Sequence, residues 1–331
     1  MEKDKLIPGN ILFSDYSSLY TTDGNNITVV HGFSPNDHGS IYGFVQTSKF
    51  ELITADSWDS CLRGFNRPQN RIFKFVGECR RAGYRDGTDA LFRGPKFVIQ
   101  DNQTPCVFYV TDHGNGAVRM VANSQTPQVT TLIKSYNYSK LYTGITQDKT
   151  GQYLYILYRD GLDRFDLSRN TSIDILSRDT TFTNSAAIYD KDIGYLSSII
   201  LKDELIIISD TNRHALVVIN VSMATYSTSL VCTGMAGHLS GNSSFCKLNE
   251  PFGLLEMDGD IFIGERGVIS ILRGKWINSI HCLIRWQSFF YEGPKAESTP
   301  SEVEVPVFVQ RNTVLTLNSG FVYLDDSILI V

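Results

Sequence analysis

The feature that most constrains the fold of this chain is a recurring short apolar strand that ends in an acidic residue. Successive acidic residues are 41, 56, 48, 50 and 55 residues apart. A polar turn and a second apolar strand follow most copies, so each unit is predicted to contain a β-hairpin. The six copies are Ile11–Asp15, Leu52–Asp56, Val107–Asp112, Tyr155–Asp160, Leu205–Asp210 and Ile261–Glu265.

A second pattern recurs between the hairpins. Its two copies are Ala82–Gly87 and Ala236–Gly241, each followed by a Phe and then a Pro, and they lie 154 residues apart. Glycine suits a loop that needs positive φ angles, and proline suits the start of the strand that follows. Units of this length, each with several short strands, predict a β-propeller in which these loops join one blade to the next.

The sequence resembles the NHL-repeat propellers. That family's pattern is a strand ending in Asp, a polar turn with Asn, a short strand with Arg, and later Gly-x-x-Asp-Gly. It is present here in Val110–Met120, Ser209–Val217 and Gly83–Gly87. The resemblance covers most of residues 10–275 and implies an all-β, six-bladed propeller.

The C-terminal strands have no blade of their own. A propeller removes exposed strand edges by joining its chain ends in one blade. The strands of 306–331 are therefore predicted to complete the blade that begins at Ile11–Val30, which makes residues 1–331 a single domain. The repeat units lie near 10–49, 50–95, 96–145, 146–195, 196–250 and 251–305.

Composition excludes several functional classes. No apolar run approaches the roughly 18 residues of a membrane helix. The net charge is −5, and Arg80–Arg81 is the longest basic cluster, so nucleic acid is not an expected partner. The polar N-terminus, Met1–Lys5, does not resemble a secretory signal, so the compartment must be inferred from other features.

The six cysteines permit three disulfides, and none forms a Cys-x-x-Cys pair typical of zinc or redox sites. Cys232 and Cys246 bracket one interblade loop, and Cys79 with Cys106 brackets the equivalent loop. These two pairings leave Cys61 and Cys282 to pair by elimination. A Cys61–Cys79 disulfide is the alternative.

Asn-x-Ser/Thr sequons suggest N-glycosylation. The candidate sites are Asn26, Asn102, Asn137, Asn170, Asn220 and Asn242. Together with the cysteines, they predict a secreted or cell-surface glycoprotein. The alternative is a cytosolic protein with reduced thiols and sequons that arose by chance.

The sequence contains no recognisable catalytic set. His113 and His214 are about two blades apart, a spacing that resembles two zinc ligands of the amidating lyase that cleaves peptidyl-hydroxyglycine, but no third histidine completes the site. Acidic residues recur at the blade period, which is typical of a structural turn rather than of an active site or an axial calcium site. These residues are Asp56, Asp112, Asp210 and Glu265. No catalytic residue, metal ligand or cofactor is therefore predicted.

The predicted function is binding of another protein, or of a surface glycan, through the loops of one propeller face. The chain could belong to a larger ectodomain or assembly. The alternative is a propeller hydrolase or lyase with an axial metal ion, similar to the amidating lyase or to a lactonase. Because the fold alone does not determine function, these predictions need a site to decide between them.

Overall fold

The computed structural model describes residues 1–331 except 6, 8, 15–17, 24–25, 33–39, 49–50, 124, 137–138, 160, 177–194, 223–226, 240, 243–244, 266–268, 278–279, 290–314, 318–319 and 323–331. The described chain is all-β apart from one turn of 3-10 helix at His113–Asn115. No helix in these ranges has the length and hydropathy needed to cross a membrane.

Five sheets have four antiparallel strands each, in sequence order. Sheet 1 contains β1 (Glu2–Lys3), β2 (Ile11–Ser14), β3 (Ser18–Thr22) and β4 (Ile27–Gly32). Sheet 2 contains β5 (Ile41–Gln46), β6 (Glu51–Asp56), β7 (Cys61–Asn66) and β8 (Arg71–Val76). Sheet 3 contains β9 (Pro95–Gln100), β10 (Val107–Asp112), β11 (Ala117–Ala122) and β12 (Gln128–Lys134).

Sheets 4 and 5 repeat this arrangement. Sheet 4 contains β13 (Tyr142–Gln147), β14 (Tyr153–Tyr158), β15 (Gly161–Asp166) and β16 (Thr171–Leu176). Sheet 5 contains β17 (Leu196–Lys202), β18 (Leu205–Asp210), β19 (Ala215–Asn220) and β20 (Ser227–Val231). Sheet 6 contains β21 (Gly241–Asn242), β22 (Pro251–Met257), β23 (Asp260–Glu265), β24 (Ile269–Ile277) and β25 (Ile280–Phe289).

The sheets are arranged as a β-propeller, which confirms the predicted fold class. Their first strands are the inner ones: β5 contacts β9, β13 contacts β9 and β17, and β22 contacts β17. β1 contacts both β5 and β22, so sheets 1 and 6 are neighbours. The prediction of six blades is wrong: the described residues form five four-stranded blades, and sheet 6 has five strands, in the order β21-β25-β24-β23-β22.

Hydrophobic clusters fill the spaces between neighbouring sheets. Along β18, Ile206 and Ile208 pack in the cluster shared with sheet 4, whereas Ile207 packs in the cluster shared with sheet 6. Successive side chains of a strand point to opposite faces, and both faces of this sheet are covered, so the strand is apolar throughout. Between sheets 6 and 1, Ile11 packs with Phe262 in another such cluster.

The Gly-x-x-Asp-Gly loops pair with the outer edge of the next sheet. Gly87, with a φ of +95°, forms a bridge with Val129 in the outer strand of sheet 3. In the second copy of the motif, Gly241 pairs with Leu283 in the outer strand of sheet 6 and so forms the extra strand β21. Covering a strand edge in this way limits edge-to-edge aggregation.

The predicted pairing of the C-terminal strands with the first sheet is not found among the described residues of 306–331, which are 315–317 and 320–322. The C-terminal strands β26 (Leu315–Leu317) and β27 (Gly320–Val322) pair with each other. In sheet 1, β1 pairs with β2 in the inner position. Residues 323–331, which the prediction also assigned to this blade, lie outside the described residues.

Two disulfides are present, Cys232–Cys246 and Cys61–Cys79. The first confirms the predicted pair. The predicted Cys79–Cys106 pair is wrong, because Cys79 follows β8 beside the start of β7, whereas Cys106 precedes β10 at the far end of β9, roughly 20 Å away for six extended residues. Cys106 is a free, exposed thiol. The predicted Cys61–Cys282 pair is excluded as well, since Cys61 is already bonded.

Candidate functional site

The loops form two chemically different faces, which we call upper and lower. The upper face is the end where the inner strands begin. It contains the connections between sheets, including 77–94, 135–141 and 232–250, and the turns that join second to third strands. The lower face contains the turns that join first to second strands and third to fourth strands.

The repeated acidic residues organise the upper-face turns, as the sequence predicts. The Asp56 carboxylate accepts a hydrogen bond of 2.9 Å from the amide of Asp59 and an ion-paired hydrogen bond of 2.7 Å from Arg63. Asp210 accepts a hydrogen bond of 3.2 Å from the amide of Arg213, and Glu265 accepts one of 2.6 Å from the amide of Asn249. Asp56 and Asp210 therefore bind the turns that follow them through backbone amides, as predicted, whereas Glu265 binds the connection that precedes its sheet.

Sheet 3 has the most buried version of this arrangement. Arg119 donates to Asp112 at 2.7 Å and to Asp86 at 2.5 Å, and its side chain is fully buried. It also donates to the carbonyl oxygen of Arg85 in the Gly-x-x-Asp-Gly loop. The Asp of that motif therefore binds the loop to the arginine of the next sheet.

Sheet 4 breaks the pattern. The sequence places the acid of this unit at Asp160, but β14 ends at Tyr158 and Asp160 lies outside the described residues. Asp163 is the third residue of β15, the position that Arg119 has in β11. Lys140 forms ion pairs with both Asp163 and Asp174, the first at 2.7 Å.

A cleft of about 300 Å³ opens over this cluster. Burial, followed by a hydrogen bond with Asp174, raises the pKa of Asp163 to about 7, whereas the same hydrogen bond lowers the pKa of Asp174. Burial lowers the pKa of Lys140, but its hydrogen bonds to the two carboxylates outweigh this effect and raise it. The three groups form one coupled unit. Asp163, Asp174 and Lys140 contact one another, so we expect the titration of Asp163 to change the free energy of unfolding.

A second polar cluster lies on the propeller axis at the upper face; we call it the axial lysine site, and it comprises Tyr42, Lys96 and Tyr195. The Lys96 ammonium donates a hydrogen bond of 2.9 Å to the Tyr195 hydroxyl. It lies 5.2 Å from the ring centre of Tyr42 and 5.6 Å from that of Tyr195. Tyr42 is on β5, Lys96 on β9, and Tyr195 directly precedes β17. Because β13 separates β9 from β17, Lys96 reaches past β13 at the upper end of the ring of inner strands, a place that we call the channel mouth.

The axial lysine is a buried charge without a carboxylate. Lys96 is only 9% exposed, and no carboxylate of the described residues lies within ion-pairing distance of it. Two tyrosine rings supply cation-π contacts, which compensate part of the desolvation of an ammonium. Such a group is a candidate for binding an external anion.

His113 lies close to this lysine and is neutral at physiological pH. Burial, followed by the positive charge of Lys96, lowers the pKa of His113 to about 4. Its Nδ1 atom lies 2.9 Å from the carbonyl oxygen of Tyr142 and therefore donates to it. His214 instead accepts a hydrogen bond of 3.0 Å from the amide of Glu250. The described residues contain no cluster of three or more His, Cys, Asp or Glu side chains suited to a metal ion.

Large exposed hydrophobic side chains occur mainly in the upper-face turns and connections. Nine such side chains occur among the described residues. Four lie in upper-face turns and connections, namely Trp58, Tyr136, Met235 and Phe245, and Tyr84 and Leu239 lie where the Gly-x-x-Asp-Gly segments run along the outer strands. Trp58 is 74% exposed in the turn between β6 and β7. Exposed aromatic and methionine side chains grouped on one surface are typical of protein interaction sites.

Four of the six sequons lie on the lower face. Asn26, Asn102 and Asn170 are exposed in lower-face turns, and Asn220 is the last residue of β19 before another such turn. Asn137 lies outside the described residues. Asn242 is in β21, within the connection 232–250 that also carries the exposed Met235 and Phe245.

Solved structures of low sequence identity share the propeller fold. A chain of a nidogen/laminin complex matches with a TM-score of 0.62 and 9% identity over 85% of this chain and 93% of that one. An auxiliary nutrient binding protein from Bacteroides thetaiotaomicron matches with a TM-score of 0.61 and 11% identity over 86% and 68%. A streptogramin B lyase matches with a TM-score of 0.53 and 12% identity over 84% and 76%. No protein-family model and no curated protein sequence matches the chain.

Sequence reasoning did not select the axial lysine site. Its residues come from segments that carry no motif, far apart in the chain. A signal was present nonetheless: aligned on their starts, the inner strands of sheets 2 to 6 have Tyr42, Lys96, Thr143, Ser197 and Phe252 at the second position, and only Lys96 is charged.

Proposed function

We propose that this protein is an extracellular glycoprotein that binds a partner protein through its upper face. The concentration of exposed aromatic and aliphatic side chains in the upper-face loops carries this proposal. Tryptophan and tyrosine are the residues that most often dominate binding energy at protein interfaces. Glycans at the four lower-face sequons would leave Trp58 and Tyr136 open to a partner, whereas a glycan at Asn242 would lie in the same connection as Met235 and Phe245.

An extracellular location is supported by the two disulfides of the described chain. Two disulfides form between residues near in sequence, at separations of 18 and 14. Such bonds persist in oxidising compartments and are rare in the cytosol. The propeller in the nidogen/laminin complex shows that the same fold can be part of a protein assembly.

Secretion from a eukaryotic host tests the compartment and the modification. We expect enzymatic removal of N-glycans to lower the mass of the protein, with occupied sites at Asn26, Asn170 and Asn220. We expect Cys61, Cys79, Cys232 and Cys246 to resist alkylation until the protein is reduced. An unchanged mass together with six alkylated cysteines would contradict the extracellular assignment.

A binding screen tests the function itself. The secreted protein would be applied to arrays of purified extracellular domains and of glycans. We expect binding to an extracellular domain that is lost in the double variant Trp58→Ser/Phe245→Ser. The matched control is Val29→Ser/Ile173→Ser, which removes exposed hydrophobic side chains from the outer strands β4 and β16. Binding to glycans alone, or equal loss in both double variants, would argue against a protein-binding upper face.

The alternative of an axial metal hydrolase or lyase has less support. Lys96 places an ammonium at the upper end of the axis, where it would repel a metal cation. His113 and His214 are each engaged with the backbone of a neighbouring segment. The lyase among the similar structures supports the fold alone.

A further inference from the structure

We propose that the axial lysine site binds a carboxylate, the side chain of an Asp or Glu that a docking protein inserts into the channel mouth. This inference rests on the proposed function, because it places the partner on the upper face. It assigns one specific contact at the centre of that face.

Burial of an uncompensated charge is the first argument. Moving an ammonium out of water is costly unless an anion accompanies it, so buried lysines are normally paired. Lys96 is 9% exposed, and it contacts a neutral hydroxyl and two ring faces. The other buried cations of the described residues each have a carboxylate: Arg119 pairs with Asp86 and Asp112, and Arg213 lies 3.9 Å from Asp210. Lys96 is the exception, and it lies on the axis.

The arrangement of donors is the second argument. Lys96 donates to the oxygen of the Tyr195 hydroxyl, so the hydroxyl hydrogen of Tyr195 can donate in turn. A charged donor and a neutral donor therefore lie 2.9 Å apart at the channel mouth. Two adjacent donors can serve the two oxygens of one carboxylate, and charge-assisted bonds of this kind are among the strongest hydrogen bonds in proteins.

The charge of the site favours a carboxylate over a phosphate. Among the described residues the site offers the positive charge of Lys96, since the neighbouring imidazole of His113 is held neutral by burial and by the lysine. One positive charge balances a carboxylate, whereas a phosphate dianion would keep an excess negative charge in a poorly solvated site.

The surroundings indicate that the carboxylate comes from a protein. Trp58, in the turn between β6 and β7, is an exposed aromatic side chain of sheet 2, the sheet that also supplies Tyr42, and it is suited to contacts with a polypeptide surface. A protein that inserts an Asp or Glu side chain at Lys96 can contact the exposed hydrophobic side chains with its neighbouring residues.

The test uses two blocked tripeptides, acetyl-Gly-Asp-Gly-amide and acetyl-Gly-Asn-Gly-amide, with succinate as a free acid. Binding to the secreted full-length protein would be measured by saturation-transfer NMR and calorimetric titration. We expect the Asp peptide to bind and the Asn peptide not to bind. We expect Lys96→Met to weaken the Asp peptide at least tenfold, the loss typical of a charge-assisted hydrogen bond. Lys149→Met, at an exposed lower-face lysine paired with Asp203, should leave it unchanged.

Two further measurements separate binding from folding. Lys96→Met should raise the thermal midpoint, because an apolar side chain replaces a buried charge without a partner. A lowered midpoint would show that a structural anion already pairs with Lys96 and would overturn the proposal. Tyr195→Phe keeps the charge and removes the second donor, so we expect a several-fold weaker complex with unaltered folding.

The remaining outcomes are also decisive. Binding of succinate without binding of the Asp peptide would overturn the assignment to a protein side chain. If an extracellular partner found in the screen loses affinity in Trp58→Ser/Phe245→Ser but not in Lys96→Met, this inference fails and the proposed function stands. If no partner binds the upper face but the Asp peptide binds at Lys96, the proposed function fails and the anion site stands.

Discussion

Arg119 and Asp112 form an ion pair of 2.7 Å in which neither side chain is exposed to solvent. The pair joins β11 to the end of β10, and Arg119 extends it to Asp86 in the loop that arrives from sheet 2. Removing one partner is expected to lower the free energy of unfolding strongly, because the other partner is then a buried charge without a counter-ion.

We expect Arg119→Ala to lower the free energy of unfolding by about 3–5 kcal/mol. The isolated carboxylate of Asp112 and the freed loop at Asp86 are the causes. Urea denaturation followed by circular dichroism measures the change. Arg169→Ala is the matched control, since Arg169 is 77% exposed and 3.9 Å from Asp166, and should change stability by less than about 1 kcal/mol. Equal effects of the two substitutions would contradict this account.

Asp163 should make stability depend on pH. Burial and the hydrogen bond with Asp174 raise its pKa to about 7, so the folded protein retains a proton that the unfolded chain releases near its ordinary value of 3.8. The stabilising contribution is therefore fully present below about pH 4 and is lost as the pH rises through about 7. We expect the free energy of unfolding of the parent protein to fall over this interval relative to that of Asp163→Asn. Parallel pH profiles of the two proteins would show that Asp163 is ionised throughout.

His113 should have the opposite dependence. Burial and the charge of Lys96 lower its pKa to about 4, so the folded protein resists protonation that the unfolded chain accepts near 6.5. The contribution of His113 is present above about pH 6.5 and is lost as the pH falls toward 4. NMR of histidine-labelled protein should show the His113 ring neutral at about pH 6, with Nδ1 protonated. A midpoint near 6.5 for this ring would be incompatible with its burial beside Lys96.

The Cys232–Cys246 disulfide should stabilise the longest described connection between sheets. Its separation of 14 residues corresponds to about 3 kcal/mol in the chain-entropy model. We expect Cys232→Ser/Cys246→Ser to lower the free energy of unfolding by about this amount, measured by urea denaturation. Cys106→Ser, at the free and exposed thiol, should have no measurable effect. A loss confined to Cys106→Ser would indicate that this thiol has a partner in solution.

The sequence predicts the fold well where one residue has one local role. The acid at the end of a second strand accepts a hydrogen bond from the turn that follows it, from a backbone amide at Asp56 and Asp210 and from the Asn115 side chain at Asp112. These acids could be recognised from spacing alone. The same rule misplaces the acid of sheet 4, because Tyr158 ends β14 and the charged group has moved to β15.

The cysteine pairing and the axial site depend on distances between strands, which spacing does not encode. Cys79 and Cys106 bracket a loop in sequence, but β9 also lies between them and carries Cys106 to the opposite face. Lys96 and Tyr195 are 99 residues apart and meet because both lie at the channel mouth. Such contacts become predictable only after the inner strands have been aligned on a common axis.

The bridge between Gly87 and Val129 and the pairing of β21 with β25 mean that a repeat unit in sequence is not a separable unit in space. A chain break between two repeats would separate a sheet from the segment that covers the edge of its outer strand. New chain ends in shortened or circularly permuted versions of this protein should therefore lie within lower-face turns, such as the one at Asn170. A chain break there leaves the outer strand of each neighbouring sheet covered.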